Sequence, residues 1–271
     1  MNGASREALA AARERLDALT DSTSADAGTL ADELAAVTAL LDREVSLRRV
    51  LTDPAQAGEA KAELVQRLLG SQVGGAAVDL VSGMVRSRWS QSRDLVDALE
   101  ELADTADLTA AQKSGALDDV EDELFRFGRI VSSSTELRAA LTDRAATGSA
   151  KAELLRRLLG GRANATTERL VTRLVAAPRG RSLESGLESL SKLAAERRSR
   201  LVAVVTSAVP LSDTQKQRLG AALAKLYGHQ MHLNIDVDPE VLGGIRVQVG
   251  DEVINGSIAD RIEDAGRRLA G

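Results

Sequence analysis

The first hundred residues place apolar side chains three or four positions apart. In the clearest stripe, Leu30, Leu34, Val37 and Leu41 would lie on one face of a helix. A stripe of this kind must be buried against a partner, so it is typical of a helix within a bundle. Similar stripes follow, with breaks between them, as far as residue 105. They predict about six short helices in a small all-helical bundle.

Residues that end helices lie in the breaks between the stripes. Asp53 precedes Pro54, and proline disfavours the α conformation in the residue before it. Gly70 follows the stripe of Leu64, Leu68 and Leu69. Glycine commonly closes a helix because it adopts conformations that other residues avoid. These positions indicate that the breaks are real helix ends.

Two stretches of the chain are copies of one another. Leu47–Gly70 and Leu137–Gly160 align at a constant offset of 90 residues, with 16 identities in 24 positions. Further matches follow at the same offset, until Pro178-Arg179-Gly180, where a two-residue deletion shifts the offset to 88. A repeat of this length predicts a duplicated helical unit. Since duplication copies a surface more readily than an active site, it favours binding modules in series.

The second copy is predicted to begin with one long helix, from Ala110 to about Val131. Its apolar stripe consists of Leu117, Val120, Leu124 and Phe127. Upstream of the repeated stretch, the first copy has two predicted helices and the second copy has this helix alone.

After Arg200 the apolar residues alternate with polar ones, which is typical of strands. Strands are predicted at residues 201–205, 231–237, 245–249 and 252–254. A helix between the first two begins in a capping box at Ser212 and stops at Gly228. A final helix is predicted from Ser257 through Leu269.

Together these patterns predict a mostly α protein, with two tandem helical-bundle domains followed by a small α+β C-terminal domain. The predicted domains are residues 1–107 (the first copy), 108–196 (the second copy, interpreted as an inserted duplicate) and 197–271 (the α+β domain).

The amino-acid composition limits the types of site and the cellular location that are compatible with this chain. The 271 residues include no cysteine, which excludes disulfides and thiolate metal sites, and the four aromatic residues leave the cores to Leu, Val and Ala. No apolar run approaches the roughly 20 residues of a membrane span. The N-terminus alternates apolar and charged residues and lacks the apolar block of a secretory signal. We therefore expect a cytoplasmic protein.

Charge is distributed unevenly along the chain. Residues 1–110 carry a net charge of −8, residues 111–200 carry +5 and residues 201–271 carry −2. Nine basic residues lie between Arg144 and Arg181, against only Glu153 and Glu168. This segment would attract an acidic partner, although a solvated helical surface explains it more simply.

Candidate catalytic and cofactor-binding residues are few. His229 and His232 are the only histidines, and no nucleophile motif accompanies them. The oxygen ligands Asp236, Asp238 and Glu240 surround Pro239, and a turn explains them better than a metal site. No phosphate-binding glycine motif is present, so Gly243-Gly244 is interpreted as a bend at a strand entry. We expect no enzyme activity and no metal or other cofactor.

The C-terminal region contains ordered short motifs at Thr206-Ser207-Ala208, Asp238-Pro239, Gly243-Gly244, Gly250-Asp251 and Gly256-Ser257. In this order they resemble the delta subunit family of the F-type ATP synthase, the counterpart of the mitochondrial oligomycin-sensitivity-conferring protein. The similarity rests on ordered short motifs, with Asn255 where the family usually has Asp. Helix-stop residues Leu51 to Pro54, together with Lys61, extend it upstream more weakly. An additional helical domain is similar to actinobacterial forms. The motif residues, for which the resemblance implies a structural role, are Thr206, Ser207, Ala208, Asp238, Pro239, Gly243, Gly244, Gly250, Asp251, Gly256 and Ser257.

The resemblance implies a non-catalytic stator subunit. In this role the helical domain binds the N-terminal segments of alpha subunits, and the C-terminal domain holds the peripheral stalk of b subunits, so that rotor torque drives proton-coupled ATP synthesis. It also implies a peripheral position at the cytoplasmic face of the bacterial plasma membrane, without nucleic acid or a small-molecule substrate. Because the two copies differ in charge, we expect the first to bind alpha and the second to be a spacer or an extra stalk contact.

The alternative is a helical adaptor or nucleic-acid-binding regulator that uses the basic segment 144–200. This segment lacks aromatic residues on which bases would stack, and the whole chain is acidic.

Overall fold

The computed structural model describes residues 1–21, 25–199, 202–227, 231–238, 244–250 and 252–255. The chain divides into two compact units, Met1–Ala194 and Ala195–Gly271. The helices that begin in the first unit are α1 (Gly3–Asp21), α2 (Ala27–Arg43), α3 (Val45–Thr52), α4 (Gly58–Leu69), α5 (Gly75–Arg86), α6 (Ser92–Lys113), α7 (Leu117–Ser133), α8 (Thr135–Thr142), α9 (Gly148–Leu159), α10 (Ala165–Ala176) and α11 (Leu183–Ser199).

The duplication extends further than the sequence alignment. Helices α3, α4 and α5 recur as α8, α9 and α10 at an offset of 90 residues. Helix α2 recurs as α7 at the same offset, and five of its buried positions recur as buried positions, although the residue type is the same only at Leu34 and Leu124. Those positions are Ala27, Leu30, Leu34, Val37 and Leu41 in α2, and Leu117, Val120, Leu124, Phe127 and Val131 in α7.

One hydrogen bond occurs in both copies. It joins α2 to the start of α5 in the first copy, and α7 to the start of α10 in the second. Glu33 on α2 accepts a hydrogen bond from the backbone N–H of Gly74, 2.7 Å away, just before α5. Glu123 on α7 accepts from the N–H of Asn164, 2.9 Å away, just before α10. Helix N-termini leave N–H groups without intrahelical partners, so each glutamate satisfies one near that end.

Helix α6 belongs to both copies. It ends the first set of helices, and its residues 93–111 also lie at an offset of 90 from α1. Its side chains are buried on almost every face, in contrast to an amphipathic surface helix. It packs against α1, α2 and α3 on one side and against α7 and α10 on the other. A buried helix of this kind joins the two bundles into one unit.

The predicted long helix from Ala110 to Val131 is wrong. The chain breaks at Ser114–Ala116, between α6 and α7, where Gly115 has φ +74. The N–H of Ala116 bonds to the carbonyl oxygen of Ala111 at 2.8 Å and closes the helix. Two helices therefore precede the repeated stretch in each copy. Lys113 in the last turn of α6 and Gly115 two residues later form a helix-stop signal in the sequence.

The second unit contains a four-stranded sheet in the order β2-β1-β3-β4. Strands β1 and β2 are parallel and joined through helix α12, whereas β3 is antiparallel to β1 and β4. The core lies between α12 and one face of the sheet, around Val205, Leu223 and Val247. The elements are β1 (Val202–Ser207), α12 (Asp213–Tyr227), β2 (His232–Val237), β3 (Ile245–Val249) and β4 (Glu252–Asn255).

These elements confirm the predicted fold class, which is mostly α with a small α+β C-terminal region. The predicted final helix lies outside the described residues. The boundaries at residues 107 and 196 stay a prediction, and α6 continues through residue 107. Within the described part of the chain, no helix is long and apolar enough to cross a membrane.

Candidate partner-binding surfaces

Three of the C-terminal motif residues, Ser207, Asp238 and Gly244, lie at one end of the sheet. Ser207, at the end of β1, is buried, and its Oγ donates to the carbonyl oxygen of Val209 at 2.7 Å. The N–H of Asp238, just after β2, donates to the carbonyl oxygen of Ser207 at 2.9 Å. Gly244, with φ +86, leads into β3 at the same end, because Ile245 pairs with Ser207. This end of the sheet is therefore fixed by backbone bonds rather than by a reactive side chain.

The other motif residues are dispersed or lie beyond the described part. Thr206 is within β1 and Ala208 directly follows it. Gly250, with φ +57, forms the turn from β3 to β4 at the opposite end of the sheet. Both positive-φ glycines occupy the left-handed region, which non-glycine residues avoid. The motif residues outside the described ranges are Pro239, Gly243, Asp251, Gly256 and Ser257.

In the first copy, helices α1 and α5 leave an open groove between them, with a cavity volume of about 320 Å³. Small residues line its floor, among them Ala8 and Ala12 from α1 and Gly83 from α5. A Cβ added at Gly83 would meet no atom within 4 Å, so the groove is open at this point. Arg15 and Asp79 form an exposed ion pair of 2.6 Å at the groove. Small residues let another helix approach the backbone closely.

The matching groove of the second copy, between α6 and α10, is filled by charged side chains. Arg173 replaces Gly83 at the offset of 90, and its guanidinium contacts Asp104 at 2.5 Å and Asp107 at 2.7 Å. Arg169 replaces Asp79 and donates to Asp107 at 2.9 Å. We call Asp104, Asp107, Arg169 and Arg173 the Asp–Arg cluster. It closes the groove that is open in the first copy.

Burial raises the pKa of Asp104 to about 7, against the opposing effect of Arg173. The nearby carboxylates Glu100 and Asp107 raise it further. Burial disfavours the charged form of Arg173, yet Asp104 and Asp107 outweigh it and raise the pKa of the guanidinium. The cluster therefore retains its arginine charge, while Asp104 titrates near neutral pH.

Two further arginines from the loop after α10 bind acidic residues of the first copy. Arg179 lies 2.7 Å from Glu100 and 3.0 Å from Asp42, and its side chain is 5% exposed. Its φ of +48 is unusual for a non-glycine residue, and the buried ion pairs hold it there. Arg181 pairs with the same glutamate. Sequence reasoning missed these pairs, because their partners lie 62 to 137 residues apart.

These pairs change the interpretation of the basic segment between Arg144 and Arg181. Of its nine basic residues, four bind carboxylates on α6 or α2. Arg156 and Arg157 pair with Glu153 on their own helix. Much of the positive charge is therefore neutralised within the protein, which weakens the nucleic-acid alternative.

A second groove, between α7 and α11, has a volume of about 530 Å³. Leu124, Phe125 and Gly128 line it from α7, and Leu187 lines it from α11. Phe125 is 59% exposed, in a chain with only four aromatic residues. This groove is the more apolar of the two and is the second candidate for a bound helix.

No group of three or more potential metal ligands occurs within the described ranges. Of the paired candidates His229 and His232, residue 229 and the side chain of residue 232 lie outside these ranges. Asp236 is exposed on β2, and Glu240 is likewise outside the described part.

Comparison with known proteins identifies the family. The family model described as ATP synthase delta (OSCP) subunit matches residues 104–269. The chain belongs to the ATP synthase delta (OSCP) subunit family. This subunit is a non-catalytic structural component of the synthase, in agreement with the expectation that the chain is not an enzyme.

Relatives share the full architecture of the chain. The ATP synthase subunit delta of Streptomyces coelicolor is 86% identical over 270 residues, covering 100% of this chain and 98% of its own. The subunit delta of Thermobifida fusca is 50% identical over 271 residues and covers 100% of both chains. Among solved structures, a chain of the Toxoplasma gondii mitochondrial ATP synthase hexamer is 24% identical, with a TM-score of 0.34, covering 62% of this chain and 95% of its own.

The family model begins within α6, so its match takes in the second copy and the α+β unit. Helices α1 to α5 precede the match. The relatives nevertheless align over the whole chain, including those helices. Both copies are therefore a shared feature of these relatives.

Proposed function

We propose that the chain is the stator subunit that links the catalytic head of an F-type ATP synthase to its peripheral stalk. Family membership supports this proposal. The structural observation on which it mainly rests is the open groove between α1 and α5. A stator must resist rotation of the head, so it needs separate attachment surfaces for the head and the stalk. The two compact units supply two such surfaces.

The groove between α1 and α5 binds the N-terminal segment of an alpha subunit as an amphipathic helix. Its floor of Ala8, Ala12 and Gly83 admits a helix backbone, and Arg15 and Asp79 offer charged contacts. Helix-in-groove recognition uses apolar anchors at helical spacing. In the second copy the Asp–Arg cluster fills the matching position, so a helix cannot bind there. This supports the expectation that the first copy binds alpha and that the second copy is a spacer or an extra stalk contact.

The α+β unit holds the stalk of b subunits. Its fixed sheet end, built on Ser207, Asp238 and Gly244, supplies a rigid platform for this contact. In this arrangement the protein lies peripherally at the cytoplasmic face of the plasma membrane, attached through the synthase complex. The second copy acts as a spacer or an extra stalk contact.

The test compares two glycine variants in the full-length protein. Gly83→Arg places in the first groove the residue type that the second copy has at Arg173. Gly128→Arg is the matched control, because Gly128 is also helical, has no atom within 4 Å of an added Cβ, and lines the α7/α11 groove. Both variants should fold, since a Cβ added at either position meets no atom within 4 Å.

Binding is measured by fluorescence anisotropy of a labelled N-terminal peptide of the alpha subunit from the same organism. We expect Gly83→Arg to weaken binding about 100-fold, which is the loss of roughly 3 kcal/mol of contact energy. Gly128→Arg should bind as the parent does. The reverse pattern would assign the segment to the α7/α11 groove, and equal binding by all three proteins would refute both grooves.

A further inference from the structure

The second copy contains a third and larger cavity, with a volume of about 870 Å³. It lies between α8, α9, the end of α10 and the start of α11, and its lining shares Glu184 with the α7/α11 groove. Leu141, Leu174 and Pro178 contribute apolar wall. Its size falls in the range of small-molecule sites.

The lining of this cavity is strongly basic. It contains Arg138, Arg144, Lys151 and Arg181, and the single acidic side chain Glu184. Hydroxyl groups of Thr135, Thr142 and Ser182 also line it. A concave surface with one sign of charge concentrates the field and attracts a counter-ion.

Lys151 is buried in this lining without a partner. It is 8% exposed, and among the described residues its ammonium has neither a hydrogen bond nor an ion pair. Most of the Lys151 side chain is packed, but its Nζ stays accessible to solvent, so the three N–H donors of the ammonium are available to an acceptor in the cavity. An anion in the cavity would supply the missing acceptors.

The three arginines that line the cavity beside Lys151 differ in whether a carboxylate of the protein already pairs with them. Arg144 is exposed and has no partner, so it is available to a ligand. Arg138 lies 3.6 Å from Glu184, and Arg181 pairs with Glu100. Asp143, beside Arg144, accepts a hydrogen bond from the backbone N–H of Ala145 at 2.9 Å and is not part of the lining. The lining therefore keeps an excess of positive charge.

The first copy carries only part of this arrangement. Lys61 is the equivalent of Lys151 and is also buried, and burial lowers its pKa. Pro54, however, occupies the position of Arg144, so the first copy lacks the exposed arginine. The difference makes Lys61 a matched control for Lys151.

We propose that this cavity binds a phosphate-class anion, held by Lys151 and Arg144. Arginine and lysine together with hydroxyl groups form the donor set that recognises phosphate oxygens. A small anion can reach the ammonium of Lys151 inside the cavity, whereas a helix would need a continuous groove. The phosphate comes either from free inorganic phosphate or from a phosphorylated organic molecule that also contacts the apolar wall.

Isothermal titration calorimetry of the full-length protein tests the site at constant ionic strength, with inorganic phosphate and ADP as separate probes. We expect saturable binding of one or both, weakened at least about tenfold in Lys151→Met, the factor expected from losing a charge-assisted contact. Lys61→Met should bind as the parent does. Equal affinities for the two probes would identify free phosphate as the source, and tighter ADP binding would identify an organic phosphate.

Arg144→Ala provides a second variant that cannot fail through folding, because this side chain is exposed and unpaired. It should also weaken binding, while Arg67→Ala on the first copy should not. Absence of saturable binding by either probe would overturn the proposal. So would binding that is unchanged in both Lys151→Met and Arg144→Ala.

Discussion

At the scale of single residues, one substitution between the copies decides whether a groove is open. Gly83 leaves the α1/α5 groove free, and Arg173 at the matching position fills the α6/α10 groove. The arginine is stable there because Asp104 and Asp107 lie opposite it. Two helical units with the same fold therefore present different surfaces.

The pKa of Asp104 predicts a pH dependence of stability. Its pKa is about 7 in the folded protein and ordinarily 3.8, so the folded state binds this proton more tightly. The resulting stabilisation is complete below pH 4 and is lost as pH rises through 7. We expect the free energy of unfolding to fall between pH 5 and pH 7, by at most about 1.4 kcal/mol per pH unit for this group.

Urea unfolding of the parent and of Asp104→Asn across this pH range measures the effect. The fall should be smaller in Asp104→Asn, which cannot titrate. Asp97→Asn is the control, because Asp97 is a half-buried acid on the same helix outside the cluster. Parallel curves for the parent and Asp104→Asn would contradict the assignment.

At the scale of elements, α6 is the structural link between the copies. It supplies apolar residues to both bundles and the carboxylates Glu100, Asp104 and Asp107 to the arginines of the second copy. Buried ion pairs add less net stability than their geometry implies, because desolvation opposes them. They strongly disfavour any packing that leaves one charge unpaired. We infer that the Asp–Arg cluster fixes how α10 lies on α6.

Replacement of Arg173 tests whether the packing of α10 on α6 depends on the Asp–Arg cluster. Arg173→Met leaves Asp104 without its arginine and is expected to lower the free energy of unfolding by about 3–5 kcal/mol, the cost of breaking a buried pair. Arg156→Met, at an exposed pair on α9, should change it by less than about 1 kcal/mol. Chemical denaturation checks both variants. Addition of Asp104→Asn to Arg173→Met should recover part of the loss, and no recovery would argue against an unpaired charge.

At the scale of the whole molecule, two helical copies share one compact unit, and an α+β unit follows. Because α6 is shared, we expect that the copies do not fold separately when the chain is cut at residue 107. A cut there removes Leu99, Leu102 and both carboxylates of the Asp–Arg cluster from the second copy. Duplication has therefore produced one compact helical unit in which the two copies present different surfaces.

Fragments test this merging. Residues 92–196, which include all of α6, should melt cooperatively, because they contain α6 to α10 and most of α11. Residues 108–196 should lose the cooperative transition. Circular dichroism at 222 nm during heating measures both, and residues 1–115 serve as the positive control for the first bundle. Equal cooperative melting of fragments 92–196 and 108–196 would show that the second copy does not depend on α6.

The sequence by itself determined the fold class, the core repeat, the strands of the α+β unit and the family. Helical and strand periodicity, helix stops and short motifs are local, so they are visible in the order of residues. It did not reveal the break at Gly115 or the shared role of α6. The break at Gly115 is hard to see in the sequence, because the apolar residues of α7 follow those of α6 closely and suggest one continuous helix.

Only the tertiary structure decided which charges are free and which groove is open. The carboxylates and arginines of the Asp–Arg cluster are more than 60 residues apart, and no local pattern connects them. The same holds for Lys151, which in sequence is an ordinary lysine on an amphipathic helix. Its burial without a partner depends on three other elements, since burial and ion pairing are properties of packing rather than of sequence position.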